Sequence, residues 1–293
     1  MKRWMLLLIC AALALCMTAC SDPSDGNNQS TSSTTSPEEV NTSQYPKPDS
    51  VGLEYEVNED GVTCIITGIG SCDDTALSIG GEIDGYQVVG IADYAFFQNQ
   101  VLTGISIHNS ITQIGSYAFY GCSNVRELLL GEGIVSIGEY AFSNCISIPS
   151  VTIPNSLEHV GQWAFYYCPA LEGVYISDLS SWLRIQFDSV YSNPLRYGGK
   201  LYLNEELVRS ITLPEDVDTI GDWVLEGCIS IEEVVLHENL VEIGERAFRA
   251  CTNLKRITYN GTKEQWQNLM KDSNWNASMD DYVIVCTDGQ IKG

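Results

Sequence analysis

The chain is 293 residues long and carries 38 Asp and Glu against 15 Lys and Arg, a formal net charge of −23. A polyanion of this size releases no counterions on meeting phosphates, so nucleic acid is excluded as a partner, and the acidity reads first as a solubility device. Beyond Cys20 no apolar run is long enough to span a bilayer, which leaves anchorage or release and excludes integral insertion.

The first element is an export signal over residues 1–19: Lys2-Arg3 precedes an apolar run from Trp4 to Met17 that is too short to be a spanning helix. Met17-Thr18-Ala19-Cys20 resembles the lipobox of bacterial lipoproteins, departing from it in having Met17 where Leu is usual. The resemblance implies lipidation at Cys20 and membrane association through that lipid alone; ordinary secretion after Ala19 is the alternative. Residues 20–50 are rich in Ser, Thr, Asn, Asp and Pro and poor in large apolar side chains, the composition of a disordered tether.

Residues 51–90 are strand-like, with an Asp60-Gly61 turn between Tyr55-Glu56-Val57 and Val62 to Ile66, and are expected to form a β-rich N-terminal cap. Such a cap would cover the apolar cross-section that an end coil exposes. Cys64 and Cys72 flank the Gly68-Ile69-Gly70 turn, which leaves a hairpin disulfide between them open as one reading beside two free thiols.

From Ile91 to Tyr259 the chain repeats every 23 residues, with segments opening at Ile91, Ile114, Ile137, Val160, Ile220 and Ile243. The fifth residue after each start is Phe96, Phe119, Phe142, Phe165, Leu225 or Phe248; the eighth is Asn99, Cys122, Cys145, Cys168, Cys228 or Cys251. An apolar triplet, Leu102/Ile105/Ile107 and its copies, follows in every segment and reads as the short strand of a leucine-rich repeat. One coil cannot bury its own apolar face, so the stack must supply the core; each buried Phe is worth about 2–3 kcal/mol. The cysteine column reads as a free ladder chosen for packing, since Asn99 stands in the same place; a Cys145–Cys168 or Cys228–Cys251 bridge is the alternative. A zinc site is not expected from a linear column.

After Ile176 the register carries 14 extra residues, which makes 177–207 an insertion. Ser177 to Phe187 is predicted as a short helix behind a Ser/Asp cap, and Lys200 to Leu213 as a hairpin turning at Asn204-Glu205. Shifting by 84 residues brings Trp182 onto Trp266, with a helix predicted over Thr262 to Lys271, so residues 260–293 read as a second copy that caps the stack. The predicted fold is thus a mixed α/β solenoid of 23-residue coils, with a β-rich N-terminal cap, one decorated coil and a helix-hairpin C-terminal cap.

The pattern G-x-x-A-F-x-x-C, as in Gly115-Ser116-Tyr117-Ala118-Phe119-Tyr120-Gly121-Cys122, with Ile153-Pro154 and Leu213-Pro214 after the strand, resembles the BspA-like leucine-rich-repeat family of bacterial surface proteins. The closing segment from Asn260 to Trp266 is similar to one often found there, and the likeness covers residues 51–293. It implies an exported protein that binds an extracellular protein or glycan; nothing in the residues selects one ligand.

No catalytic constellation stands out. His108 and His237 share a turn register, His159 sits alone at the end of a coil, and no G-x-S-x-G motif is present. Asp73-Asp74 and Asp280-Asp281 lack the alternating oxygen ligands of a calcium loop. A non-catalytic monomer without metal or cofactor is expected. Two candidate binding surfaces follow from the register. The outward strand residues Ser106, Leu129, Thr152, Tyr175, Thr212, Val235 and Thr258 share one sheet face, unless they serve only as strand formers. The aromatic column Tyr94, Tyr117, Tyr140, Trp163 and Trp223 offers polar-tipped rings to sugars or proteins, unless the rings pack on each other. Three roles fit such a molecule: a surface binding protein, a structural or assembly component of the envelope, or an accessory module that docks a surface enzyme through the insertion.

Overall fold

The computed structural model describes residues 49–293. The signal, most of the tether and Cys20 lie outside the described residues. About ten coils of roughly 23 residues wind into a β-solenoid with few helices. The α part of the mixed α/β expectation amounts to two short helices, α1 at Leu179–Leu183 and α2 at Lys263–Asn268, besides a 3-10 turn at Pro194–Tyr197.

Each regular coil has three sides. The first is a strand of three or four residues such as Gly104–Ile107, where Ile105 and Ile107 point inward and Ser106 outward because side chains alternate along a strand. These strands pair in parallel with partners 23 residues on: Gly104 with Glu127, Ser150 with Gly173, Ser210 with Glu233 and Glu233 with Arg256. The second side is a two-residue strand ending in the inward Ile114, Ile137 or Val160, again in parallel register. The third side is a run of turns. Alternate amides there reach the next coil (Tyr94 N to Ser116 O, Phe96 N to Ala118 O, Gln98 N to Tyr120 O), while those between close local turns (Phe97 N to Tyr94 O, Asn99 N to Phe96 O). The buried backbone is satisfied without helix or long strand.

That third side has a strict conformational requirement. Tyr94, Tyr117, Tyr140, Trp163, Trp223 and Arg246 have φ between 52° and 60°, and four residues later Gln98, Gly121, Asn144, Tyr167, Gly227 and Ala250 are left-handed too. Coil backbones also meet closely at its entrance: a Cβ on Gly115 would lie 2.5 Å from the carbonyl carbon of Ala92. This contact accounts for the glycine that opens the repeated motif.

The core runs through the middle of the coils. Phe96, Phe119, Phe142 and Phe165 stack with centroids 5.0, 5.4 and 5.5 Å apart, and all are at most 2% exposed. Beside them Cys122, Cys145, Cys168 and Cys251 each donate Sγ–H to the carbonyl of Phe96, Phe119, Phe142 or Leu225, 26 residues back, at 3.1–3.3 Å. All eight cysteines among the described residues are free. At the start of the column Asn99 instead accepts the Val101 and Leu102 amides through Oδ1, so the site selects a turn-closing polar atom of small size.

Several boundaries move. Ala76–Ile79 already pairs in parallel with Gly104–Ile107, so coil stacking begins inside the stretch read as cap. The hairpin of Glu54–Val57 and Thr63–Gly68 forms at the predicted turn, where Asp60 accepts the Val62 and Thr63 amides, and its second strand runs parallel to Tyr86–Ile91. The Cys64–Cys72 bridge is not made. Cys64 faces Val57, four residues from the Gly68 end of its strand, about 13 Å at strand rise. Cys72 stays at that far end, its amide on Ile69 O and its neighbour Ser71 on Gly52 O, whereas a disulfide needs Cα atoms within about 7 Å.

The predicted insertion helix ends early, because Gln186–Phe187 is taken up as a strand beside His159–Val160. Its cap is as expected, with Asp178 accepting the Ser181 amide at 2.7 Å. The hairpin Lys200–Leu203 with Glu206–Leu207 turns at Asn204-Glu205, both left-handed. The tail repeats the whole device 84 residues on: α2 opens on a capping box of Thr262 and Gln265, Met270–Lys271 joins Glu242–Ile243, and Val283–Cys286 folds back on Gly289–Lys292. The sheet ladders break after the first copy, since Glu206–Leu207 ends one sheet and Ser210–Thr212 begins another.

Candidate functional site

The register places the outward strand residues as the sequence predicts. Ser106 pairs with Leu129, Thr152 with Tyr175, and Thr212 with Val235 and then Thr258. Thr152 and Thr212 are exposed; Ser106, Leu129, Tyr175, Val235 and Thr258 are half-buried. The row is longer than the seven residues predicted, because Ser78 pairs with Ser106, Tyr202 with Tyr175 and Val285 with Thr258. Those three stand 27 or 28 residues from their partners, so a fixed period of 23 passes over them. Tyr175 and Tyr202 stack at 4.5 Å with planes 10° apart, and partial burial, with Tyr202 and Glu205 nearby, raises the Tyr175 phenol above its usual value.

The aromatic column divides. Tyr94, Tyr117, Tyr140 and Trp163 form a continuous ladder with centroids 4.8–4.9 Å apart. Trp223 stands beyond the insertion, packed against the core with its Nε1 buried and without a partner. The rings are therefore largely spent on each other, and what they offer outward is edges and hydroxyls. A second row at the sixth position of the coil was passed over: Phe97 stacks on Tyr120 at 5.2 Å, and Tyr120 sits edge-on to Tyr140 at 6.3 Å. The same 23-residue period contains it. Burial pushes the Tyr140 phenol up to about 12, with Glu139 adding to the effect, and raises Tyr117 for the same two reasons.

In the later coils the sixth position turns ionic. Glu226 and Arg249 occupy it, and Glu226, fully buried, has Oε1 2.5 Å from Arg249 Nη1 and 3.5 Å from Arg196 Nη1, while its Oε2 has no partner. Arg196 also lies over the Tyr191 ring, 4.6 Å from its centroid. Asn193 ties the insertion down, its Nδ2 donating to the carbonyls of Trp223 and Val224.

The cysteine ladder is chemically quiet: burial lifts Cys122 and Cys168 to about 12 and the others of the column above the ordinary thiol value, so thiolate is scarce at neutral pH. His108 closes its own turn on Ser110, buried His237 faces the Pro214 and Val217 carbonyls through Nε2, and His159 is 2.9 Å from Asp188 rather than alone. Among the described residues no group of His, Cys, Asp and Glu is arranged to hold a metal, and no helix is long and apolar enough to cross a membrane. A shallow open groove lies at the start of the last strands, lined by Arg209, Glu232, Glu233, Asn253, Lys255 and Arg256. Its cations are engaged: Arg209 with Glu232, Arg256 with Glu233, and Lys255 with the Asp280 carbonyl.

Among solved structures the chain is similar to the T. pallidum leucine rich repeat protein TpLRR, with 22% identity over 78% of this chain and 97% of that one and a TM-score of 0.46. A leucine-rich repeat protein from Bacteroides capillosus ATCC 29799 is 28% identical over 43% of this chain and 95% of its own, with a TM-score of 0.39. A leucine rich cell surface protein from Faecalibacterium prausnitzii A2-165 is 16% identical over 79% of this chain and all of its own, with a TM-score of 0.33. No curated protein matches. The BspA type leucine rich repeat region matches residues 89–195 and 198–275 in six copies, which takes in all the coils whose turns and columns are described above. The chain belongs to the BspA type leucine rich repeat family.

Proposed function

We propose that this protein is a non-catalytic binding scaffold displayed at the cell surface, which takes an extracellular protein or glycan on the outward face of its strands. The observation that carries the reading is the side-by-side register of outward residues within each ladder, with exposed Thr152 beside the stacked pair Tyr175 and Tyr202. Small hydroxylated side chains next to amphipathic rings give adaptable hydrogen bonding beside a rigid contact surface, a combination suited to recognition. Lipidation at Cys20, with the Ser/Thr-rich tether after it, would hold the coils off the membrane. The hairpins at 54–68 and 283–292 act as caps that leave less open sheet edge for unwanted pairing. The insertion is a weaker candidate for docking an enzyme, because Trp182, Leu183, Asn193 and Leu195 all turn into the core.

The test is binding of the purified full-length protein to an array of matrix proteins, mucins and glycans at physiological salt. A saturable ligand lost in both Thr152→Lys and Tyr175→Ala, with melting unchanged, is the expected result. Binding that survives both substitutions sinks the strand-face assignment; an array without any ligand turns the search to envelope partners in the producing cell.

A further inference from the structure

Positive charge is scarce in this chain, and much of it is gathered in one place. Of the twelve Lys and Arg in residues 49–293, the four at Lys200, Arg209, Lys255 and Arg256 line two adjoining hollows that share Arg209, Glu232 and Asn253. The larger hollow is the open groove of about 600 Å³ at the start of the strands Ser210–Thr212, Glu233–Leu236 and Arg256–Tyr259. Its residues sit side by side in successive coils: the Glu232 amide donates to the Arg209 carbonyl at 2.7 Å, and the Lys255 amide to the Glu232 carbonyl at 2.9 Å. That row runs cation, carboxylate, cation, and the row beside it runs Ser210, Glu233, Arg256. Two strand spacings, roughly 9.6 Å, separate the backbones that carry Arg209 and Lys255.

These cations are held loosely. The side chains of the Arg209–Glu232 and Arg256–Glu233 pairs are 44–65% exposed, each guanidinium turns one nitrogen to its carboxylate, and the second pair stands 3.8 Å apart, beyond a hydrogen bond. Exposed pairs of this kind yield readily to a competing anion. Lys255 Nζ is bonded to a main-chain oxygen, that of Asp280. We propose that this groove binds an acidic polysaccharide in which a uronate alternates with a neutral amino sugar. The uronate carboxylates lie on Arg209 and Lys255, and the amide N–H and hydroxyls of the ring between them face Glu232, with Ser210 and Asn253 as further polar groups. This rests on the reading of the protein as a binding scaffold and adds to it a second site and a ligand class. Spacing and sign select the ligand. Two linked pyranose rings advance by about the separation of the outer cations, whereas an extended peptide shows its same-side carboxylates about 6.6–6.8 Å apart, out of step with them. A polymer with an anion on every unit, nucleic acid included, sets one against Glu232. At physiological salt charges are screened over about 8 Å, so the ligand meets the groove's four cations and two carboxylates rather than the acidic coils farther off. Each guanidinium has donors left to take a carboxylate with two parallel bonds.

The experiment is calorimetric titration of the full-length protein with four oligomers of equal length: alternating glucuronate and N-acetylglucosamine, galacturonate throughout, N-acetylglucosamine throughout, and a glutamate peptide. Salt is set at about 50 and 150 mM to vary screening. The expected result is saturable binding of the alternating oligomer, weaker binding of the galacturonate oligomer and the glutamate peptide, and none of the neutral sugar. Affinity should fall about threefold or more at the higher salt. Arg209→Gln and Lys255→Gln, checked for unchanged melting, should each weaken binding about threefold to tenfold. Arg184→Gln removes the same charge from an exposed cation outside the groove and should leave binding unchanged. Glu232→Gln should narrow the gap between the alternating and galacturonate oligomers. No binding, equal binding of the neutral sugar, tighter binding of the glutamate peptide or the galacturonate oligomer, or an equal loss in Arg184→Gln would each overturn the proposal. A ligand from the array that is lost in Thr152→Lys and kept in Arg209→Gln, found without binding of the alternating oligomer, would leave the wider scaffold reading standing and remove this one alone.

Discussion

Ala250 is the plainest residue at which the repeat meets its own constraint. It sits at φ 58°, in the register that Gly121 and Gly227 fill without strain. A left-handed alanine costs more than glycine does there, and its side chain is one methyl, so Ala250→Gly should stabilise the protein by about 0.5–1 kcal/mol in urea unfolding. A loss of stability would mean that the methyl's packing outweighs the backbone term. The sequence gives little hint of this requirement, because outside Gly121 and Gly227 the left-handed places of the turns are held by tyrosine, tryptophan, arginine, glutamine, asparagine and alanine, where glycine would be the local signal. The Phe and Cys columns, by contrast, were legible: each recurs at one spacing and each is dictated by the same inward-facing site. Cys64 and Cys72 misled because closeness in sequence across a turn says nothing about which end of the strand each side chain occupies.

At the scale of an element, the insertion is locked to the next coil by Asn193 and by Arg196 on Glu226. Burial raises the Glu226 pKa above its ordinary value, and Arg249, Arg196 and Arg246 oppose this without cancelling it. A carboxyl with a raised folded value binds its proton more tightly in the folded state, so its contribution is most favourable at low pH. It declines as pH climbs from the ordinary carboxylate range to the raised value. Glu226→Gln mimics the protonated form. The variant should therefore gain on the wild type as pH rises through that interval and hold a constant lead above it, as followed by thermal melting across pH. A wild type that gains on the variant over the same range would mean that the arginines dominate. The hairpin at Asn204-Glu205 and the helix starts at Asp178 and Thr262 were legible from turn and cap chemistry. The helix end was not, since Gln186–Phe187 is decided by a strand 27 residues away.

For the whole molecule, stability is a chain of neighbour contacts, so position along the stack should grade the effect of one substitution. Phe142 has a ring on either side, at 5.4 and 5.5 Å, whereas Phe96 has Phe119 on one side. Phe142→Ala should cost about 3–5 kcal/mol and Phe96→Ala distinctly less, read from denaturant midpoints. Equal shifts would argue that the coils do not support one another. The stack itself was evident from the period, but its beginning at Ala76–Ile79 was hidden by a 28-residue step and by the lack of a phenylalanine there. The candidate strand face was legible for the same reason as the core, since one register fixes both sides of a strand; its ligand was not, because outward residues answer to a partner outside the chain.

The break between Glu206–Leu207 and Ser210–Thr212 has a further consequence. The hairpin that ends the first ladder is repeated at 283–292, yet in its first occurrence it does not stop a fresh ladder from starting three residues later. A helix and hairpin of this kind is thus a joint as much as a terminus, and the 84-residue unit that carries it can be counted out like a link. Proteins built on it can change length by whole links while every side chain in the existing ones keeps its neighbours.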